Sequence, residues 1–283
     1  AVAGMTYSID GVRYDREYIA SSPDGMIAVM LRASGKEKIN VDLLLKDGNT
    51  DYNGTASGTK IDKGNMTFKG KLTYLSYYCR VAVTPYGKKA KMSINDSTLT
   101  ITKADSLLVL LSGGTNYSTE AADYRTDVSV LHQRIDDIIN KALAKNYATL
   151  KTRQQKSYRM LFDRCQLSIT PDDCNTKPTP QLVADYNKTD SSYLDNHFLE
   201  ELYFNYGRYL LISCAQGIAL PSNLQGIWNY SNSAVWHCDI HANINVQMNY
   251  WPAEVTNLSE LHNNLLDYIH NEALIHTQWR DNV

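Results

Sequence analysis

The residues of this chain best suited to chemistry lie between 220 and 262, in the stretch LPSNLQGIWNYSNSAVWHCDIHANINVQMNYWPAEVTNLSELH. Trp228, Trp236 and Trp251 stand there among many side-chain amides, with little regular periodicity. Long irregular segments in compact domains are usually functional or disordered, and so aromatic a composition argues against disorder. Aromatic faces stack on sugar rings, while Asn, Gln and His side chains read the directions of hydroxyls. The same composition suits a structural plug closing a helical bundle, and the residue types leave both readings open. Gln225, Trp228 and Trp236 are candidates to line a binding surface, each equally suited to a structural role. His237, Asp239 and His241 in HCDIH are metal-ligand types, and Glu254 in WPAE is a tempting acid. An isolated N-x-N, here Asn243 and Asn245, ordinarily reads as turn or backbone capping.

Composition removes several function classes. A net charge of -2 offers no electrostatic footprint for nucleic acid or an anionic membrane. No apolar run approaches the roughly 20 residues of a membrane-spanning helix. A hydrophobic fraction of 43% with 20% charged residues is that of a globular chain, long enough at 283 residues for one large domain or two ordinary ones. The five cysteines are odd in number and form no C-x-x-C pair, so free or buried thiols are expected. Twenty Tyr against 4 Phe suits sheet surfaces and polyol recognition alike, and sheet surface is the expectation for most of them. The opening AVAGMTYSIDGVRY lacks a basic region followed by an apolar core, so it reads as the middle of a strand rather than a signal peptide.

The elements that must position these residues change character along the chain. Residues 1–115 read as antiparallel β-structure. MTYSI and VRYDREYIA flank Asp10-Gly11, a tight-turn dipeptide, and Pro23-Asp24-Gly25 precedes MIAVMLRAS. INVDLLLKD, KLTYLSYYCRVAVTPY, KMSI, STLTITKA and SLLVLLSG continue the series, as in a sandwich. From about 121 the period becomes helical, with Val130, Leu131, Ile135, Ile138, Ile139 and Leu143 recurring at three and four. PDDCNTKPTP then breaks the pattern with three prolines. SYLDNHFLEELYFNYGRYLLISCA reads as a nearly all-round apolar core helix. The segment from Thr256 to His276 reads as an amphipathic one bearing Leu258, Leu261, Leu265, Leu266 and Ile269, with Ser259 as N-cap.

LPSNLQGIWN, HANINVQMNYWPAEVTNLSELH and YGRYLLIS closely resemble glycoside hydrolase family 95, typified by α-1,2-L-fucosidases. GVRYDREYIASSPDGMIAVML is similar to that family's N-terminal β-domain, and KSYRMLFDRCQLSI to its linker and barrel entry. The resemblance implies an N-terminal antiparallel β-supersandwich over 1–120, a helical linker over 121–192, and the beginning of an (α/α)6 catalytic barrel over 193–283. It also implies an inverting exo-hydrolase that releases terminal α-L-fucose from oligosaccharides or glycans, secreted or periplasmic, with no cofactor and no metal.

Inverting hydrolysis needs an acid to protonate the departing oxygen and a base to activate water on the opposite face of the sugar. By resemblance, Asn243 and Asn245 are the catalytic asparagines that hold this water, with a downstream aspartate acting through them. Their spacing of two would set both amides on one side of an extended segment, with His241 on the same side as a sugar-recognition residue. Gln225, Trp228 and Trp236 are then expected on the substrate side. Glu254 is expected to cap or pair, and Asp239 and His237 to be loop residues. The family's acid and base lie beyond Val283, so the chain is expected to be a piece that begins inside the β-domain, stops within the barrel and is inactive alone. An α-L-galactosidase of the same family, a non-catalytic sugar-binding or structural piece, and a phosphorylase of a related barrel clan are the competing readings. The last would need a phosphate site, and no basic Gly-rich loop is present.

Overall fold

The computed structural model describes residues 2–48, 54–170, 177–188, 193–218, 220–276, 278 and 281. β-structure fills the first part and helices the rest, as the change of period predicts. The chain separates into two compact units, Ala1–Ser157 with Asn271–Val283, and Tyr158–His270.

In the first unit, β1 (Val2–Ile9) and β2 (Val12–Ser21) pair through a two-residue turn. Asp10 and Gly11 hold φ of 50° and 74° there, the positive pair such a turn demands. Beyond it come β3 (Met26–Ala33), β4 (Ile39–Leu44), β5 (Thr55–Ala56), β6 (Lys60–Asp62), β7 (Asn65–Lys71), β8 (Ser76–Tyr86), β9 (Lys91–Asn95), β10 (Thr98–Ala104) and β11 (Ser106–Thr115). Among the described residues the main sheet runs β1-β2-β3-β11-β8-β7-β5, with β6 also on β7, and a smaller one runs β4-β10-β9. Every pairing is antiparallel. KLTYLSYYCRVAVTPY is not one strand: β7 ends at Lys71, and Leu72 N–H donates to Leu75 O across a turn before β8.

The main sheet is buried on both faces. Met66, Cys79, Val81, Val83 and Leu107 pack against Ile39, Leu99, Ile101 and Ala104 of the smaller sheet. On the opposite face Ile19, Ala28, Met30, Ala82, Leu108 and Leu110 pack against Ile139, Ala142, Tyr147 and Leu150 of helices α1 (Val128–Leu143) and α2 (Tyr147–Phe162). That is why SLLVLLSG is a continuous apolar run instead of an alternating one. Asp127 caps α1, its carboxylate accepting from Ser129 N–H at 2.7 Å. Val130 and Leu143, counted with the apolar stripe, are exposed.

The second unit contains α3 (Thr179–Asp185), α4 (Tyr193–Ala215), α5 (Asn245–Val255) and the first turns of α6 (Asn263–Leu274). Its core joins Leu161, Leu211, Ile212, Ala215, Val246, Tyr250, Ala253, Leu258, Leu261 and Leu265. α4 is not apolar all round. Tyr203 and Tyr206 are exposed, and Arg208 is 1% exposed. The Arg208 guanidinium donates to the carbonyls of Leu161 (3.0 Å), Phe162 (2.6 Å), Cys165 (2.6 Å) and Thr256 (3.4 Å). A cation thus sits against the carboxyl ends of α2 and α5, where the helix dipoles are negative.

α5 ends in a Schellman motif. Asn257 is left-handed (φ 58°), its N–H donates to Glu254 O, and the N–H of the fully buried Leu258 donates to Ala253 O. Ser259 therefore does not cap the next helix. It opens a short 3-10 turn, Ser259–Leu261, for which Leu258 is the N-cap residue, and α6 follows from Asn263. Leu265 is near fully buried, whereas Leu266 and Ile269 are exposed.

Cys79, Cys165, Cys214 and Cys238 are free, and Cys174 lies outside the described residues. Burial pushes the Cys79 thiol up to about 11 and raises Cys214 as well, so both are held as neutral thiols. Among the described residues no helix is long and apolar enough to cross a membrane.

Candidate functional site

The segment from 220 to 248 is held by side chains of α5 and by Asn264 of α6. Tyr250, buried in the core, accepts from Ser222 N–H at 3.0 Å and donates its hydroxyl to Asn264 Oδ1 at 2.7 Å. Burial raises the Tyr250 pKa, which keeps the phenol a donor. Asn249 Nδ2 donates to the carbonyls of Ser222 (3.1 Å) and Asn223 (2.9 Å). Asn264 Nδ2 donates to Leu220 O at 3.0 Å. The amides and the tyrosine of QMNYW are thus the fastenings of the loop that precedes them.

That loop makes its own tight turn. Asn223 and Gly226 exchange backbone hydrogen bonds, with Gly226 at φ 66°, and Trp228 follows. Leu224 N–H donates to Asp239 O at 3.0 Å, and Cys238 Sγ donates to Asn223 Oδ1 at 3.2 Å, which joins the two halves of the segment. Trp236, His237 and Cys238 all have positive φ, of 54°, 56° and 54°. Three consecutive non-glycine residues in that region store backbone strain, which a clasped loop must over-determine.

The catalytic candidates sit differently from the expectation. His241, Asn243 and Asn245 are not on one extended strand: residues 242–244 form a turn, and Asn245 is the first residue of α5. Val246 N–H donates to His241 O at 2.9 Å, and Gln247 Nε2 donates to Ala242 O at 2.6 Å, so the chain folds back on itself here. Residues two apart on a helical turn do not share a face, so alternation does not place the two amides together. Asn243 is exposed, its Oδ1 accepting from Ile244 N–H at 3.0 Å. Asn245 is half-buried, and its side-chain amide has no hydrogen-bond partner among the described residues.

Period two does hold one step earlier, in D-I-H. Asp239 is extended (φ -82°, ψ 179°), Ile240 packs on the core, and the side chains on either side of it, Asp239 and His241, are both partly exposed. His241 Nδ1 donates to Asp239 Oδ1. The Trp236 ring meets the His241 ring edge to face, with centroids 5.7 Å apart.

Trp228, Trp236 and Gln225 are exposed, as are Ile227 and Tyr230. The structure thus brings Trp236 and His241 into contact and sets Gln225 and Trp228 on the turn fastened beside Asp239. Glu254 pairs with His262 (Oε1 to Nδ1, 3.1 Å), as a pairing role requires. No group of three His, Cys, Asp or Glu side chains converges as a metal site among the described residues. Asp239 and Asn249 are the residues of this segment's contacts that the sequence alone undervalues. The signals in the sequence are the alternation of D-x-H and the place of Asn249 next to Tyr250, whose side chain is buried.

Residues 146–280 match the family model described as the glycosyl hydrolase family 95 catalytic domain. Residues 1–120 match the glycosyl hydrolase family 65 N-terminal domain. The chain is 28% identical to "Probable alpha-fucosidase A" of Aspergillus niger over 95% of its own length and 34% of that protein. It is 29% identical to the protein of the same name from Aspergillus oryzae, over 90% of this chain and 36% of the relative. "Alpha-L-fucosidase 2" of Arabidopsis thaliana is 27% identical over 95% of this chain and 34% of the relative. The chain therefore spans about a third of the length of these curated relatives. A solved structure from the human microbiome, named as a kojibiose phosphorylase, superposes with a TM-score of 0.50 at 10% identity, covering 80% of this chain and 28% of the other. That last likeness is one of fold.

Proposed function

We propose, on the premise that residues 146–280 belong to glycoside hydrolase family 95, that the protein is an exo-glycosidase releasing terminal α-L-fucose with inversion. The observation that carries this reading is that the family's catalytic match encloses the whole clasped segment from Leu220 to His262. Three relatives named for α-fucosidase activity support the sugar.

In this reading Asn243 and Asn245 hold the attacking water. The amide of Asn245, without a partner and at the amino end of α5, has acceptor capacity to spare. An amide oxygen orients water but does not deprotonate it, so a carboxylate must polarise it, and a second must act as acid. Asp239 and Glu254 are each engaged by a histidine, and neither is assigned those roles. Trp228 and Trp236 offer exposed rings for stacking on the sugar, and Gln225 and His241 offer polar groups for its hydroxyls.

The test is to assay the complete protein on matched aryl α-L-fucoside and α-L-galactoside, following the released anomer by NMR. Faster turnover of the fucoside with β-L-fucose appearing first is the expected result. A higher kcat/KM for the galactoside overturns the sugar, and first release of the α-anomer overturns the inversion. The two sugars differ by one hydroxyl, so His241→Thr should shift the ratio by at most a few kcal/mol.

A further inference from the structure

We propose that Asp239 is a positioning residue for His241, fixing the imidazole as its Nδ1–H tautomer so that Nε2 is the atom presented to a substrate hydroxyl. The inference rests on the functional reading above for what Nε2 meets, though its geometry stands on contacts within the chain. The backbone is pinned on both sides of the pair. Leu224 N–H holds Asp239 O, and Val246 N–H holds His241 O. Between them Ile240 packs against the core, so the two polar side chains emerge on the opposite side with little freedom to turn inward. An ionised carboxylate only accepts, so the ring nitrogen facing it must carry the proton. In its neutral form the ring so held offers a bare Nε2, an acceptor that selects ligands with a hydroxyl to donate. Trp236, edge-on to the ring, limits its rotation from the side. The left-handed run 236–238 turns the chain between Trp236 and Asp239, and the Trp236 ring comes back against His241.

A surface ion pair of no functional consequence would show the same contact, so the experiment must read orientation as well as stability. Two-bond ¹⁵N–¹H correlation spectra of the complete protein, with the His241 signal assigned by its loss in His241→Ala, report which ring nitrogen of His241 is protonated. Nδ1–H is expected in the wild type. The Nε2–H form that an unrestrained imidazole favours is expected in Asp239→Asn.

In the complete protein acting on an aryl α-L-fucoside, Asp239→Asn should lower kcat/KM by about 10- to 100-fold, the worth of one polar contact to a charged group. The loss should fall in KM more than in kcat, because the contact is to a non-reacting hydroxyl. Asp239→Glu should restore part of it. Once His241→Ala is present, Asp239→Asn should cost little more, because the second residue acts through the first.

An Nε2–H ring in the wild type overturns the inference, as does an Asp239→Asn variant whose KM and kcat match the wild type. If Asp239→Asn does not fold, the wild-type spectrum and Asp239→Glu decide. A wild type that ignores α-L-fucosides would sink the functional reading and leave the spectrum to judge Asp239 on its own.

Discussion

The Trp228 ring lies across Gly226 so closely that a Cβ there would stand 2.6 Å from Cζ3. Gly226 also closes the turn with Asn223 at φ 66°. Gly226→Ala therefore carries a left-handed alanine, about 1–2 kcal/mol, and must also displace the indole. Gly11→Ala, at φ 74° with open space around it, carries the strain alone. Near-UV circular dichroism should change for the Gly226 variant and not for the Gly11 variant. An unchanged spectrum in both would show that Trp228 is not fixed by that turn.

Arg208 supports the second unit from within. Replacing it by Ala leaves the carbonyls of Phe162, Cys165 and Thr256 without a donor, and Leu161 O with Arg164 N–H at 3.4 Å alone. Each buried orphan costs roughly 1–3 kcal/mol, so a loss of at least ~3 kcal/mol is expected. Arg208→Lys keeps the charge but not the planar fork, and should fall between. Urea unfolding followed by tryptophan fluorescence reads chiefly this unit, because Trp228, Trp236 and Trp251, three of the four tryptophans, lie in it. A loss below about 1 kcal/mol for Arg208→Ala would show that water replaces the guanidinium.

How much of this was legible beforehand follows from what patterns encode. The Asp10-Gly11 hairpin, the strand over SLLVLLSG and the helical period of α1 are legible because turn chemistry and periodicity are local, whereas the burial of that strand on both faces depends on what packs against it. The Arg208 clamp was not: within YGRYLLIS an arginine looks like a solvent-facing residue, and its four acceptors come from segments 43 to 48 positions away. The N-x-N geometry failed for a related reason. Period two ends before Asn245, because the helix that buries Val246, Tyr250 and Ala253 begins at that residue and the apolar spacing of three and four outranks the alternation there. Ser259 lost its cap to Asn257, whose left-handed Schellman turn fixes where α5 ends.

Acid sensitivity of the first unit should centre on Glu17. Burial alone would raise its carboxyl; Lys151 at 2.5 Å, with Tyr147 and Arg32 nearby, outweighs that and holds it below the usual value. A carboxyl lowered on folding stabilises the protein above its unfolded pKa, and that stability is lost as pH falls through the folded value. Lys151→Met removes the attraction and leaves the burial, so its stability should match the wild type at the lowest pH and fall behind above pH ~5. The gap should be about 1 kcal/mol, as for a half-exposed pair. Stability curves that stay parallel from pH 3 to 7 would assign Lys151 no part in it.

Asn245 offers the cleanest separation of structure from chemistry. It is the first residue of α5, and its side chain makes neither a cap nor any other hydrogen bond among the described residues. Alanine is the best helix former, so Asn245→Ala should leave stability within about 0.5 kcal/mol of the wild type. If the amide holds the attacking water, its removal deprives the reaction of an aligned nucleophile, and positioning and proton transfer are each worth orders of magnitude. The rate on an aryl α-L-fucoside should then fall by at least about 100-fold in the complete protein, with KM little changed because the water, not the sugar, is lost. Asn243→Ala is expected to behave alike even though Asn243 Oδ1 accepts from Ile244 N–H, since its NH2 group and second lone pair stay available. A fall of less than tenfold in both variants, with folding intact, would remove the asparagines from the mechanism and leave the clasped loop as a sugar-binding surface alone.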